Sequence, residues 1–492
     1  MATMIFGPYR LHGLNKRRRL LGLTLCIATF LYAYASWDLF KERILTFPAA
    51  GRYLPVPLHV QAPVQVPPPV PVPVAHISPP RPASRLLNLL FTGDDSPIED
   101  QHWPWKGLTR HALRDLVTCL ELGNCKPNQE KVVLIGSDYF RAVMKGHNGG
   151  EHIWAASTMK AMRNLGYTVL YAESLGGLVD LYRIVPDLVK IVIIDDCAVF
   201  RCHKDAENCV QSDENPTGIP IYKILSFFFW SFPRHPLGQR WVLAPEPFAL
   251  APDPTGTRVS NNTYLGYSIE DDCALTPFVP HAARPARAWV LAKLLHYLAP
   301  ARGGAWVKRD FDAATRRTGV QFVLGAGLDQ GESAADVARL EMPEKHFNHG
   351  TLPKREFMSA LAQAKADSAR SSPTPYNALC FGVPFINPVD KWEPENPTDI
   401  ADDYSQHPFM GFLNPPYVYN VRRGDREGFV NAIASAIANP IDSHIPDRMR
   451  MAAVQKRLAA IVDNDWEAEA RRQAEWCSEP CGCLTPCDTR DI

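Results

Sequence analysis

Two short stretches carry side chains suited to chemistry on sugars and phosphates. The first, residues 371–388, reads SSPTPYNALCFGVPFINP. Pro373 and Pro375 resist a helix interior but suit its first turn, where no amide partner is lost. Tyr376 to Phe381 then has room for about two turns, stopped by Gly382 with Pro384 just beyond. Phe385-Ile386 reads as a short buried strand. Such a turn–helix–strand unit aims hydroxyls and first-turn amides at one point, as phosphate and sugar groups require; the plainer reading is an αβ connection in a core. The second stretch is Gly149-Gly150-Glu151, where the acid opens a helix and complements its dipole. A third candidate is Asp195-Asp196 at the end of the run KIVIID, where a metal-bound diphosphate has a place to sit. Adjacent Asp pairs recur at 94–95, 271–272 and 402–403, which weakens that candidate. No GxGxxG follows the first strand and no P-loop pattern is present.

These residues need a scaffold, and its period is visible from position 131. KVVLIG (131–136), YTVLY (167–171) and KIVIID (190–195) are short β-branched runs with helical material between the first two, which reads as parallel strands of a doubly wound sheet. The helix after Gly150 carries Ala155, Met159, Met162 and Leu165 on one face and ends near Gly166. A second half begins around 285: WVLAKLLHYL (289–298) reads as strand or helix, VQFVLGAG (320–327) as a strand, 353–366 as a helix opened by Pro353, and 446–476 as a charged amphipathic helix. Two Rossmann-like halves imply a ligand cleft between them.

At 492 residues the chain exceeds one core. Lys+Arg equals Asp+Glu at 52 each, so charge offers no argument for a nucleic-acid surface and none is expected as a partner. Lys16-Arg17-Arg18-Arg19 precedes an uncharged stretch ending in Tyr32, Tyr34 and Trp37. That pattern predicts a cytoplasmic tail (1–19) and a membrane-spanning signal anchor (20–40); a cleaved signal peptide at Ala33-Tyr34-Ala35 is the alternative. Residues 48–82 hold 12 prolines in 35 positions and predict a polyproline stem (41–95) reaching roughly 3.1 Å per residue. The remaining boundaries are read at 96–280, 281–445 and 446–492. Eleven of the 12 cysteines lie beyond the membrane segment, where an oxidising lumen makes disulfides the default. Eleven is odd, and Cys380, amid apolar neighbours, is the expected unpaired thiol. The cluster Cys477, Cys481, Cys483, Cys487 fits disulfides better than zinc. Asn261-Asn262-Thr263 is the one glycosylation sequon.

Five segments in order carry a resemblance: GGEHIWAASTMKAMRNLGY (149–167), NTYLGYSIE (262–270), NHGTLPKREFMSALAQAK (348–365), SPTPYNALCFGVPFINP (372–388) and SQHPFMGFLNPPYVYNV (405–421). Together they resemble the α-1,6-mannosylglycoprotein 6-β-N-acetylglucosaminyltransferases, Golgi enzymes that branch N-glycans. The resemblance implies a GT-B fold, a single-pass type II Golgi membrane protein, a UDP-GlcNAc donor, an N-glycan mannose 6-OH as acceptor, inversion and no metal or other cofactor. It matches Glu151 to the general base, with Gly149, Gly150 and Trp154 on the acceptor side. It places Lys293, Ser372, Thr374, Pro375 and Asn377 on the donor side, Lys293 neutralising diphosphate. Asn377 stands where the family has a ribose-gripping Glu. Between Lys365 and Pro373 the chain is about four residues shorter than the family, which carries a strand and a glycine turn there. A catalytically impaired lumenal glycan-binding or scaffold protein with the same fold is the alternative that these two departures raise.

Overall fold

The structure, a computed structural model, describes residues 104–230, 234–248, 261–299, 304–328, 340–369, 372–391, 404–405, 407 and 409–478. The tail, the span at 20–40, the stem at 41–95 and Cys481, Cys483 and Cys487 lie outside the described residues. Among the described residues no helix is long and apolar enough to cross a membrane.

The first half is a parallel sheet wrapped by helices. Helix α1 (Pro104–Leu122) leads into β1 (Val132–Ile135), α2 (Asp138–Met144), α3 (Gly150–Leu165) and β2 (Thr168–Tyr171). It continues through α4 (Leu175–Ile184), β3 (Val189–Asp195), α5 (Asp196–Lys204), β4 (Ile224–Phe227), β5 (Val242–Ala244) and β6 (Thr263–Tyr264). Every residue of β1 and β4 is buried, as a sheet covered on both faces demands. The order is β2-β1-β3-β4-β5-β6, all parallel. The direction in which successive strands are added therefore reverses between β1 and β3, which opens a crevice at their carboxyl ends. Helix α3 ends in the left-handed Gly166 (φ 79°), where a Cβ would stand 2.8 Å from the Pro127 carbonyl. Glycine is required there.

The second half repeats the plan after α6 (Glu270–Leu275). Strand β7 (Arg287–Leu291) is followed by α7 (Lys308–Thr318), β8 (Gln321–Leu324), β9 (His346–Asn348), α8 (Lys354–Ala362) and β10 (Ala366–Ala369). Then come α9 (Thr374–Cys380), β11 (Phe385–Lys391), β12 (Tyr404–Ser405), β13 (Val418–Arg422) and α10 (Arg426–Ala438). The parallel strands run β9-β8-β7-β10-β11, with β13 parallel and β12 antiparallel to β11. The reversal here falls between β7 and β10. Run 289–298 resolves into the end of β7 followed by a 3-10 turn at Leu295–Leu298.

Five sequence expectations are corrected. The segment 366–372 does contain a strand: β10 inserts between β7 and β11 in register. Its residues are too polar to read as a strand, and the helix expected to 366 in fact stops at Ala362. Strand β11 runs seven residues rather than two. The helix expected over 446–476 is two, α11 (Met451–Asp463) and α12 (Trp466–Ser478), which return to the first half. There Trp466 lies 5.6 Å from the Trp241 ring and Lys131 pairs with Asp463 at 2.6 Å. Finally, Cys380 is bonded to Cys273 of α6, beside Cys119–Cys125 and Cys202–Cys209; the exposed Cys197 is outside these pairs. The apolar surroundings of Cys380 are genuine, but α6 packs on α9 and delivers a partner from 107 positions away.

Candidate active site

The two crevices meet. Gly150 opens α3, and a Cβ on it would lie 3.4 Å from Pro373 Cδ and 3.9 Å from Phe229 Cε2. Pro373 precedes α9 at the carboxyl end of β10, and Phe229 follows β4. The start of the first half's α3 thus abuts the proline turn of the second half.

Glu151 is half-buried at this junction. Beside it, the Gly149 N–H donates to His152 Nδ1 at 3.1 Å, which caps the helix and leaves the proton of the neutral ring on Nε2. The His152 ring lies 5.4 Å from that of His147 and 5.8 Å from that of Tyr139. Burial lowers the proton affinity of His152, assisted by His147 and Lys293 and opposed by Glu151. Lys293, exposed beyond the end of β7, therefore acts electrostatically on the α3 start from across the cleft. Burial holds the Tyr139 phenol well above its ordinary range, reinforced by Glu151, Asp195 and Asp196.

The aspartate pair is otherwise engaged. Asp195 accepts from Ser137 Oγ at 2.5 Å and from the Asp138 N–H at 2.9 Å, fastening the end of β3 to the turn after β1. Burial pushes its carboxyl up to about 6, against the pull of Ser137 and Arg141. Asp196 pairs with Arg234 at 3.8 Å. Among the described residues no group of three or more His, Cys, Asp or Glu side chains is placed to hold a metal ion.

The expected donor side divides. Ser372 and Thr374 are half-buried at the turn, with the Thr374 N–H donating to Ser372 Oγ at 3.3 Å and Ser372 O bonded to His407 Nε2 at 3.0 Å. Pro375 and Asn377 are buried. Asn377 is fully covered and donates to Asp272 Oδ2 at 3.4 Å, while Asp272 pairs with Lys354 at 2.7 Å. The side chain at 377 therefore ties α9 to α6 rather than facing the cleft. Trp154 is likewise corrected as an acceptor contact: it is fully buried, stacked on Phe227 with centroids 3.6 Å apart. Trp230, edge-on to Phe229 at the same mouth, does reach solvent and is 48% exposed. Its clue in the sequence was the run SFFFW at a strand end. Asn261 is exposed, its N–H bonded to Gln239.

Sequence reasoning also missed what seats α9. Arg284, 3% exposed, donates to the carbonyls of Val279, Ala364, Phe381 and Gly382, closing the helix end where Gly382 turns left-handed (φ 73°).

No protein-family model matches the chain. Among curated proteins it is similar to α-1,6-mannosylglycoprotein 6-β-N-acetylglucosaminyltransferase B of Mus musculus, 26% identical over 140 residues that cover 25% of this chain and 17% of that protein. The A enzyme of Rattus norvegicus is 24% identical over 137 residues, covering 25% of this chain and 18% of the relative. Over that quarter of the chain the sequence is distantly similar to these transferases. The match spans less than two thirds of either relative's length. Among solved structures, the UDP-GlcNAc 2-epimerase of Methanocaldococcus jannaschii aligns over 68% of this chain and 99% of that one, at 9% identity and a TM-score of 0.36. The trehalose-6-phosphate synthase OtsA aligns over 70% and 97%, at 10% identity and 0.37.

Proposed function

We propose that the chain is an inverting, metal-independent glycosyltransferase of GT-B type that moves GlcNAc from UDP-GlcNAc to the 6-OH of a mannose on N-glycans. The observation that carries this reading is the facing of two switch-point crevices, with Glu151 on one wall and Lys293 and the Ser372–Thr374 turn on the other. A sugar held by its diphosphate at the turn presents its anomeric carbon toward α3. Glu151 takes the proton of the acceptor hydroxyl as that oxygen attacks from the face opposite UDP. The new C–O bond forms as the bond to the diphosphate breaks, and Lys293 offsets the charge that collects on the leaving group. Gly149 and Gly150 let the acceptor approach the backbone, and Trp230 offers it a flat apolar face.

The second reading, a glycan-binding scaffold without turnover, is favoured by Asn377, whose engagement with Asp272 removes a ribose contact from the cleft. Transfer of radiolabelled GlcNAc to an N-glycan acceptor in the presence of EDTA separates the two. Metal-free transfer is the expected result. Glycan binding with no transfer from any UDP-sugar, with or without divalent metal, sinks the enzyme reading. The topology we propose, a type II Golgi protein with only residues 1–19 cytoplasmic, is checked by protease treatment of sealed vesicles, which should leave 104–478 intact.

A further inference from the structure

Beneath the proline turn lies a buried polar junction that the transfer reaction does not use. Glu246, just after β5, is 4% exposed. Its Oε1 accepts from the Tyr267 hydroxyl and its Oε2 from the Tyr376 hydroxyl, each at 3.0 Å. Tyr376 belongs to α9, and its ring is fully buried. Arg448, in the 3-10 turn before α11, donates to the Tyr376 hydroxyl at 3.0 Å and to the Phe409 carbonyl at 3.1 Å. Arg457 of α11 lies over the Tyr264 ring at 4.3 Å and donates to the carbonyls of Leu265 and Arg448. The charged and titratable groups facing Glu246 are thus Tyr264 and Tyr267 from the first half, Tyr376 from the second, and Arg448 and Arg457 from the returning segment. His407 stands edge-on to Tyr376 at 5.3 Å. Burial pushes it down to about 4, so it stays neutral across the range that matters.

We propose that Glu246 is a positioning residue: through Tyr376 it fastens α9, and with it the Ser372–Thr374 turn, to the first half in a proton-linked junction. That the fastened turn serves a nucleotide rests on the function proposed above; the junction itself does not. Burial is the dominant influence on Glu246 and lifts its carboxyl from 4.5 to about 7, with Arg448, Tyr267 and Tyr376 pulling the other way. That burial exists only while α9 is seated. Separating the contact would hydrate the carboxyl and return it toward its ordinary value, so seating α9 takes up a proton. The contribution is full below 4.5 and lost as pH rises through 7. Between pH 6 and pH 8 the seated arrangement becomes about tenfold less favoured.

The test is hydrogen exchange of the 374–380 amides on the full chain, corrected for intrinsic rates, together with UDP calorimetry, at pH 6 and pH 8. The wild-type protein should lose roughly tenfold protection over that interval, while its UDP affinity should fall only as far as the seated fraction falls. Glu246→Gln, neutral at every pH and the same shape, should show no loss of protection. The phosphate of UDP titrates in the same range, but its effect is common to both proteins and cancels in the comparison. Glu246→Leu, which also removes the titrating carboxyl, should likewise lose the pH dependence, and it stands in should the Gln variant fail to fold. An equal pH slope in wild type and both variants overturns the junction. A pH-linked α9 in a chain that binds no UDP keeps the junction and removes the nucleotide reading.

Discussion

Glu151 and Asp195 are both carboxylates at the mouth of the first half's crevice, and their surroundings separate their roles. Among the described residues none bonds the Glu151 carboxylate, whereas both Asp195 oxygens are taken by the turn after β1. Glu151→Gln should therefore lower transfer by roughly two to four decades, the usual reach of general-base catalysis. UDP affinity measured by calorimetry and the thermal midpoint should hardly move, since one first-turn charge is worth only about 0.3–1 kcal/mol. Near-normal turnover would remove Glu151 from the mechanism. Asp195 should instead register in stability. Its folded-state proton affinity is raised from 3.8 to about 6, so its contribution is full below 3.8 and lost as pH rises through 6. Asp195→Asn keeps the acceptor for Ser137 and should flatten that part of the stability-versus-pH curve between pH 4 and 6, read by chemical denaturation. An unchanged slope would place the titration elsewhere.

Elements that bury one kind of surface were the easiest to read, because burial writes a period into the sequence. VVLI, TVLY and KIVIID are β1, β2 and β3 within a residue or two, and α3 ends at the glycine expected to stop it. Strand β10 was illegible: ADSA puts a fully buried acid, Asp367, in a parallel strand, and no propensity argument selects it. The site was legible to the extent that it is local. Helix α9 starts on its prolines and stops near Gly382, but whether position 377 faces the cleft depends on where α6 packs. The same tertiary fact decides Cys380. Because Cys273–Cys380 joins α6 to α9 across 107 positions, Cys273→Ser should cost about 2–4 kcal/mol. The lowered midpoint should match that of the wild type in reductant, after allowing for the other disulfides. A variant as stable as the oxidised wild type would show that packing alone seats α9.

At the scale of the whole molecule the two halves share one apolar core, which runs from Trp154 and Trp241 through Tyr376 and Phe385 to Leu458 and Trp466. The last two belong to helices that come after the second half yet pack on the first, α11 lying against α3. Val454, Leu458, Ile461, Val462 and Trp466 are all buried. Each contributes about 1.5–3 kcal/mol, so together they rival the roughly 5–15 kcal/mol that keeps a domain folded. A chain ended after residue 445 should therefore lose its cooperative melting transition in calorimetry; a sharp transition would mean the first half is self-sufficient. The return of α11 also bears on how the molecule is made. A ribosome delivers residues 104–264, sheet and all, long before the strip that covers them. During that interval the face of α3 that α11 covers stays bare and has to be kept from other nascent chains. Seating of the helix that bears Glu151 waits until residues 451–466 are made, so a half-made chain is a half without its cleft.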